Sequence, residues 1–169
     1  IDYVLQACRG LAEAHGRGII HRDLKPANLF LCTKNDGTSI VKILDFGIAK
    51  AAEDPGAKDS GLTSSQVVLG SPRYMAPEQI ASARSVDARA DIWSLGGILY
   101  ELVAGRPAFD ETSMLALCSR IATGPAPSIR AVRPEVSAAF DAIVHRCLQR
   151  EPEARFATVA DLAEALREA

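Results

Sequence analysis

The chain has 169 residues, a length that fits one compact unit with its own hydrophobic core. Its 19 basic and 21 acidic side chains give a formal net charge of −2, and basic runs are few. This balance argues against nucleic acid or an anionic membrane surface as the main partner.

Four cysteines lie far apart in the chain: Cys8, Cys32, Cys118 and Cys147. They form no C-x-x-C pair and have no histidine at zinc-site spacing, so we expect reduced thiols and a cytoplasmic location. The longest apolar stretch, IWSLGGILY, is much shorter than the roughly 20 residues that a membrane span needs. No membrane segment is predicted in this stretch, and an anchor elsewhere in a longer parent chain stays open.

The first half of the chain predicts one helix and a small β ribbon. Apolar residues recur at helical spacing over residues 2–15, and Gly16 and Gly18 supply the stop. The pair Ile19-Ile20 is predicted as a very short strand. The runs NLFLC and IVKIL are typical of strands, and the TKNDGTS between them carries a hairpin-turn signal.

The second half predicts a long loop followed by helices. Residues 51–70 are rich in Gly, Ser, Asp and Pro, which predicts a loop. The stretch DARADIWSLGGILYELVAG is apolar on most faces and predicts a buried central helix that ends at Gly105. Shorter helices are predicted at about 111–122, 136–149 and 158–168. The predicted fold class is therefore α+β, mainly α-helical with a small β ribbon.

Three short motifs occur in a fixed order: HRDLKPAN at 21–28, DFG at 45–47 and APE at 76–78. One tripeptide alone is a weak signal, but the ordered set matches the H-R-D-L-x-x-x-N, D-F-G and A-P-E signature of protein kinases. DIWSLG at 91–96 and LQREPEARF at 148–156 resemble further motifs of that family. The chain thus resembles the C-terminal lobe of a eukaryotic-like (bacterial Hanks-type) serine/threonine protein kinase.

The resemblance implies transfer of the ATP γ-phosphate to a protein hydroxyl, with ATP and Mg²⁺ as cofactors. Asp23 would orient the attacking hydroxyl or accept its proton, and Lys25 would hold the γ-phosphate. Asn28 and Asp45 carry the hard oxygen ligands that Mg²⁺ prefers. Phe30 would lie as an apolar floor under the adenine ring.

The expected protein partner presents a serine or threonine acceptor. Lys25 within DLKPAN matches the serine/threonine group of the family rather than the tyrosine group. Ser71, in GSPRYMAPE, stands where the family places a Ser or Thr that bonds the catalytic Asp and Lys. Glu101 could bind a basic residue of a peptide substrate. This role is disfavoured, because Ala27 stands where basophilic relatives often carry a glutamate.

Other matched residues imply structural or regulatory roles. Asp91 is expected to hydrogen-bond the backbone of the HRD turn, and Glu78 is expected to form a buried ion pair with Arg155. His21 is expected to pack into the core, and Phe46 and Gly47 are expected to have structural or regulatory roles, whereas His15 is interpreted as an ordinary surface or helix residue. Arg22, beside Asp23, suggests regulation by a phosphate on the activation loop, with Thr63 or Ser65 as the hypothesised acceptor.

Residues 1–169 are interpreted as the C-terminal lobe of a catalytic domain, with the catalytic loop at 21–28 and the activation segment at 45–78. The family's G-x-G-x-x-G loop, strand lysine and helix glutamate do not occur in the sequence, so the N-terminal lobe is expected to be absent and the chain alone inactive. Two alternatives stay open: a non-catalytic kinase-like interaction module and a small-molecule phosphotransferase. An interaction module would need none of the motif side chains Asp23, Lys25, Asn28 and Asp45, which disfavours that alternative. The APE motif and the long loop before it suit a peptide substrate, which disfavours a small-molecule phosphotransferase.

Overall fold

The chain is described by a computed structural model over residues 1–46, 72–81 and 86–169. Its first helix, α1, covers Asp2–Gly16, in agreement with the apolar periodicity. The buried side chains of α1 recur at the spacing of one helix face: Val4, Ala7, Cys8 and Leu11. Gly18, with φ of 74°, turns the chain away from the helix in a conformation that glycine adopts without steric cost.

A short 3₁₀ turn at Pro26–Asn28 leads into the β ribbon. Strand β1, Leu29–Thr33, pairs antiparallel with β2, Ser39–Ile43. The predicted hairpin is therefore confirmed. The short strand predicted at Ile19-Ile20 is wrong, because these residues pair with no strand in the described part of the chain and the sheet there has two strands.

The central helix is the most deeply buried element. A 3₁₀ turn at Pro72–Tyr74 and a short helix α2, Pro77–Ala81, precede it, and helix α3 covers Arg89–Ala104. Every residue of α3 from 90 to 100 is buried, as its apolar sequence predicts. No helix among the described residues combines the length and the apolar content needed to cross a bilayer.

Three helices complete the chain: α4 at Met114–Thr123, α5 at Ala138–Cys147 and α6 at Val159–Glu168. Each begins where a capping side chain accepts a backbone N–H from the first turn, namely Ser113, Ser137 and Thr158. The caps set the helix starts one to three residues later than the predicted starts. The fold class is confirmed at this level: residues 1–46, 72–81 and 86–169 are mostly helical and contain one two-stranded antiparallel sheet.

Candidate active site

The backbone of the HRD turn is held by the carboxylate of Asp91, which is fully buried at the start of α3. Asp91 Oδ2 accepts the backbone N–H of His21 and Oδ1 accepts that of Arg22, each at 2.9 Å. The contact expected from the sequence is therefore present. His15 contributes a third partner, because its Nε2 lies 2.7 Å from Asp91 Oδ2. The interpretation of His15 as an ordinary helix residue missed this contact, for which the sequence carries no local signal.

Three motif side chains converge just beyond this turn. Lys25 Nζ donates to Asp23 Oδ2 at 2.9 Å, and Asn28 Nδ2 donates to the Asp23 carbonyl at 2.8 Å. Asn28 is only 5% exposed, and its amide nitrogen is engaged, so its Oδ1 is the oxygen left for a further ligand. Asp23 and Lys25 keep partial exposure, with side chains 19% and 27% accessible. A solvent-borne ligand can therefore reach both charged groups.

Asp45 lies beside this group because the end of β2 is tied to the 3₁₀ turn. The backbone N–H of Leu44 donates to the Asn28 carbonyl at 2.9 Å, and Asp45 follows directly. Asp45 adopts a left-handed φ of 53° and is exposed. Within the described residues its carboxylate has no hydrogen bond or ion pair, which leaves both oxygens available.

His21 connects the two segments through both ring nitrogens. A carbonyl oxygen can only accept, so Nε2–H donates to the Leu44 carbonyl at 2.9 Å. Nδ1 accepts the backbone N–H of Asp23 at 3.3 Å, which requires the Nε2–H tautomer. The ring also packs on Phe46, with centroids 4.8 Å apart. Fully buried, His21 thus joins the loop that carries Asp23 to the strand end that carries Asp45.

Phe30 lies on β1, two residues after Asn28, and is 56% exposed. Its ring is therefore accessible to a ligand. Four of the residues predicted for the site, Gly47, Thr63, Ser65 and Ser71, lie outside the described residues, and so does the predicted loop at 51–70.

The expected ion pair between Glu78 and Arg155 is present and doubly bonded. Arg155 Nη1 and Nη2 donate to the two carboxylate oxygens of Glu78 at 2.7 and 2.8 Å. The other three N–H groups of this buried guanidinium donate to backbone carbonyls of Gln149, Arg150 and Arg89. All five donors of Arg155 are thus satisfied, which anchors α2 to the chain that precedes α6.

Tyr74 lies along α3 and connects the residues before APE to that helix. Its backbone carbonyl accepts from Ser94 Oγ at 2.8 Å, and its hydroxyl donates to the carboxylate of Glu101. Burial, with the Glu101 hydrogen bond, raises the pKa of the Tyr74 phenol well above its usual value. Glu101 is therefore engaged by a residue of the protein itself, which adds to the case against it as a reader of peptide substrates.

Within the described ranges, no three His, Cys, Asp or Glu side chains are grouped to hold a metal ion by themselves. Asn28 and Asp45 together offer one amide oxygen and one carboxylate. This donor set fits Mg²⁺, which is usually bound by one or two carboxylates plus phosphate oxygens and water. It does not fit zinc, which favours nitrogen and sulfur ligands in closed sites.

A family model described as the protein kinase domain matches residues 1–167. Serine/threonine-protein kinase Pkn1 of Myxococcus xanthus is 41% identical over 167 residues, which cover 99% of this chain and 23% of the relative. Serine/threonine-protein kinase PknB of Mycobacterium tuberculosis is 39% identical over 163 residues, 96% of this chain and 25% of the relative. The PknB of Mycolicibacterium smegmatis is 38% identical over 163 residues, with the same coverage of 96% and 25%. The chain spans about a quarter of the length of these curated relatives.

Proposed function

The chain belongs to the protein kinase family, in its bacterial serine/threonine group, and we propose that the protein containing it transfers the γ-phosphate of ATP to serine or threonine hydroxyls of other proteins. The observation that carries the proposal is the convergence of Asp23, Lys25 and Asn28 beside Asp45, through the hydrogen bond between the Leu44 N–H and the Asn28 carbonyl. A surface turn of polar residues would not need a buried histidine to join these two segments.

Phosphoryl transfer has a loose transition state, so the residues act mainly by position and charge. The Asp23 carboxylate orients the incoming hydroxyl and accepts its hydrogen bond. Lys25 Nζ, 2.9 Å from Asp23 Oδ2, lies where it can donate to a phosphate oxygen as negative charge shifts there. The resting ion pair keeps both groups at the same place before a substrate arrives.

Asn28 Oδ1 and the Asp45 carboxylate are the residues that would hold Mg²⁺, which when bound neutralises phosphate charge. Asp45 lies two residues past the end of β2 with a left-handed backbone and an exposed side chain, and His21 bonds the preceding carbonyl. Phe30 offers an apolar face to the adenine ring, consistent with its exposure. ATP would thus be held by residues of the ribbon and of the 21–28 loop.

We infer that residues 1–169 act as the C-terminal lobe of a catalytic domain, with the catalytic loop at 21–28 and the activation segment at 45–78. The sequence holds no Gly-rich phosphate loop and no strand lysine with its glutamate partner, so these residues alone cannot clamp ATP from both sides. The isolated chain is expected to have little or no activity. A cytoplasmic position suits it, because ATP and the four unpaired thiols both belong to a reducing compartment.

Regulation by phosphorylation of Thr63 or Ser65 remains part of the proposal. Arg22 directly precedes Asp23 and would pair with the added phosphate, which would tie the activation segment to the 21–28 loop. Phosphopeptide mapping of the active protein is expected to find a modification between Ser60 and Ser71. Active protein without one removes this part of the proposal.

The test is phosphate transfer from labelled ATP by the full-length protein to protein acceptors, with small-molecule alcohols tested in parallel. Asp45→Ala and Asp23→Asn are each expected to lower kcat at least a hundredfold. Asp36→Asn is the matched control, because Asp36 is an exposed acid at the hairpin tip whose bonds are local to Thr38. Transfer to small molecules alone would assign the chain to small-molecule phosphotransferases, and absence of ATP binding would identify an interaction module.

A further inference from the structure

One side-chain amide bridges the catalytic loop and the APE segment. Gln79, on the short helix α2, donates from Nε2 to the backbone carbonyl of Arg22 at 2.8 Å. Its Oε1 accepts the backbone N–H of Ala76 at 3.0 Å. The two groups that it joins lie far apart in the chain, and Gln79 is half-buried between them.

The Arg22 carbonyl belongs to the same planar peptide unit as the N–H of Asp23. That N–H donates to His21 Nδ1, so the unit is held at one end by His21 and at the other by Gln79. Arg22 has a left-handed φ of 63°, which a side-chain-bearing residue keeps only when its surroundings impose it. The peptide unit that sets the direction of Asp23 is therefore fixed by the surrounding contacts.

The residues just before APE, which lie on the other side of the Gln79 bridge, also lie close to Asp23. A small cleft between the two segments is lined by Arg22, Asp23, Leu24, Tyr74, Met75 and Ser94. Tyr74 and Met75 thus lie across the cleft from Asp23, and Ala76, whose N–H bonds Gln79, follows them directly; residues 74–76 are called the 74–76 wall below. The two segments pack closely there, with no room for a water molecule, so a shift of residues 74–76 would also move the surface that an acceptor bound at Asp23 must meet.

We propose that Gln79 is a positioning residue for phosphate transfer, which rests on the proposed function. Its Nε2–H sets the peptide unit that aims Asp23 at the hydroxyl, and its Oε1 keeps the 74–76 wall at a fixed distance from Asp23. The bridge is separate from the anchoring of α2, because the doubly bonded Glu78–Arg155 pair already holds that helix. Loss of the Gln79 amide therefore leaves the fold in place and disturbs the geometry of the site.

The two hydrogen bonds can be separated by substitution in the full-length protein. Gln79→Leu removes both, whereas Gln79→Glu keeps an oxygen for the Ala76 N–H and loses the donor to the Arg22 carbonyl. Both variants are expected to lower kcat about ten- to a hundredfold, with the KM for ATP within twofold of the parent. Only Gln79→Leu is expected to raise the KM for the peptide acceptor, by about threefold or more.

Gln149→Leu is the matched control, because among the described residues the side-chain amide of Gln149 bonds only locally, to the His145 ring and carbonyl. It is expected to leave kcat and both KM values within twofold. Kinetic constants of Gln79→Leu and Gln79→Glu within twofold of the parent would overturn the proposal. So would a loss of activity matched by an equal loss in the control.

Hydrogen exchange of the backbone amides gives a second measurement that does not depend on activity. In Gln79→Leu the Asp23 and Ala76 amides are expected to exchange at least tenfold faster than in the parent, and those of α3 are expected to be unchanged. Unchanged exchange at Asp23 overturns the positioning role. A parent protein that phosphorylates no protein acceptor, yet shows this faster exchange in the variant, overturns the proposed function and leaves the bridge as the support of the loop.

Discussion

Asp91 Oδ1 accepts the backbone N–H of Arg22 at 2.9 Å, and Arg22 holds this bond with a left-handed φ of 63°. The other oxygen of the carboxylate accepts the His21 N–H and lies against His15 Nε2. The buried helix α3 therefore fixes the backbone from which Asp23 extends. The geometry of the candidate site is set by the core of the protein rather than by its surface.

Asp91→Asn is expected to lower the free energy of unfolding by about 2–4 kcal/mol. The amide keeps one acceptor and turns an NH₂ group toward a backbone N–H, so at least one buried donor loses its partner. Denaturant unfolding measures the change. The matched control is Asp110→Asn, because its ion pair with Arg73 is 57% exposed on the Asp110 side and is worth about 0–1 kcal/mol. Equal effects of the two substitutions would contradict the assigned role of Asp91.

Glu78→Gln is expected to destabilise the protein by about 3–5 kcal/mol, because Arg155 is fully buried and would keep a charge without a counter-ion. The control is Glu13→Gln, which breaks an ion pair with Arg17 whose side chains are 69% and 70% exposed. That surface pair is expected to contribute less than about 1 kcal/mol. The comparison is made by urea unfolding at low and high salt. Only the Glu13 pair should weaken appreciably with salt, and a salt-sensitive Glu78 effect would argue against a buried charge pair.

Gly96→Ala is expected to lower the free energy of unfolding by about 1–3 kcal/mol, although alanine is the better helix former. A Cβ at this position would lie 2.5 Å from the Cβ of Cys147 on α5. The neighbouring Gly97→Ala is the control, because its Cβ would meet Tyr74 Cδ1 at an ordinary 3.4 Å. Thermal unfolding should rank Gly97→Ala at or above the parent and Gly96→Ala well below it. The reverse order would mean that α3 and α5 do not approach closely at Gly96.

The four thiols are expected to differ in reactivity toward an alkylating reagent. Burial raises the pKa of the Cys8 thiol to about 11, and burial also raises the pKa of Cys147 strongly. Only the thiolate reacts, so at pH 9 about 1% of Cys8 is in the reactive form even before access is considered. Peptide mapping by mass spectrometry should find Cys32 and Cys118 modified well before Cys8 and Cys147. Rapid native labelling of Cys8 would contradict its burial on the inner face of α1.

The same shift gives a direction for stability at alkaline pH. The pKa of Cys8 is higher in the folded protein than in the unfolded chain, where it has the ordinary value of 9.0. Below pH 9 the resulting stabilisation is fully present, and it is lost as the pH rises toward 11. The free energy of unfolding is therefore expected to fall between pH 9 and 11. Chemical denaturation across that range measures it. A flat profile would mean that Cys8 titrates normally in the folded protein.

Sequence patterns predicted the elements because their signals are local. The apolar spacing of α1, the turn residues of the hairpin and the continuous apolar run of α3 all lie within the element that they describe. The motifs also led to two long-range contacts, Asp91 with the HRD turn and Glu78 with Arg155, through resemblance to a family. The roles of Asp23, Lys25, Asn28 and Asp45 in catalysis remain predictions.

The contacts of His15 and Gln79 could not be predicted in the same way. Each depends on two segments more than 50 residues apart meeting in space, and neither residue belongs to a periodic pattern or a turn signal. The prediction of a short strand at Ile19-Ile20 was wrong for a related reason, because a strand forms only when a neighbouring strand pairs with it. These contacts and pairings depend on which distant segments meet in the fold, and the type of a single residue does not predict that.

The left-handed backbone at Arg22 and Asp45 has a consequence for engineering. Glycine would adopt both conformations at no steric cost, whereas a residue with a Cβ gives up roughly 1 kcal/mol at each. Directed evolution for heat tolerance alone should therefore enrich glycine at these two positions. A library ranked by melting temperature would then discard the aspartate proposed to bind magnesium, so selection for thermostability in this protein needs a parallel screen for the proposed phosphate transfer.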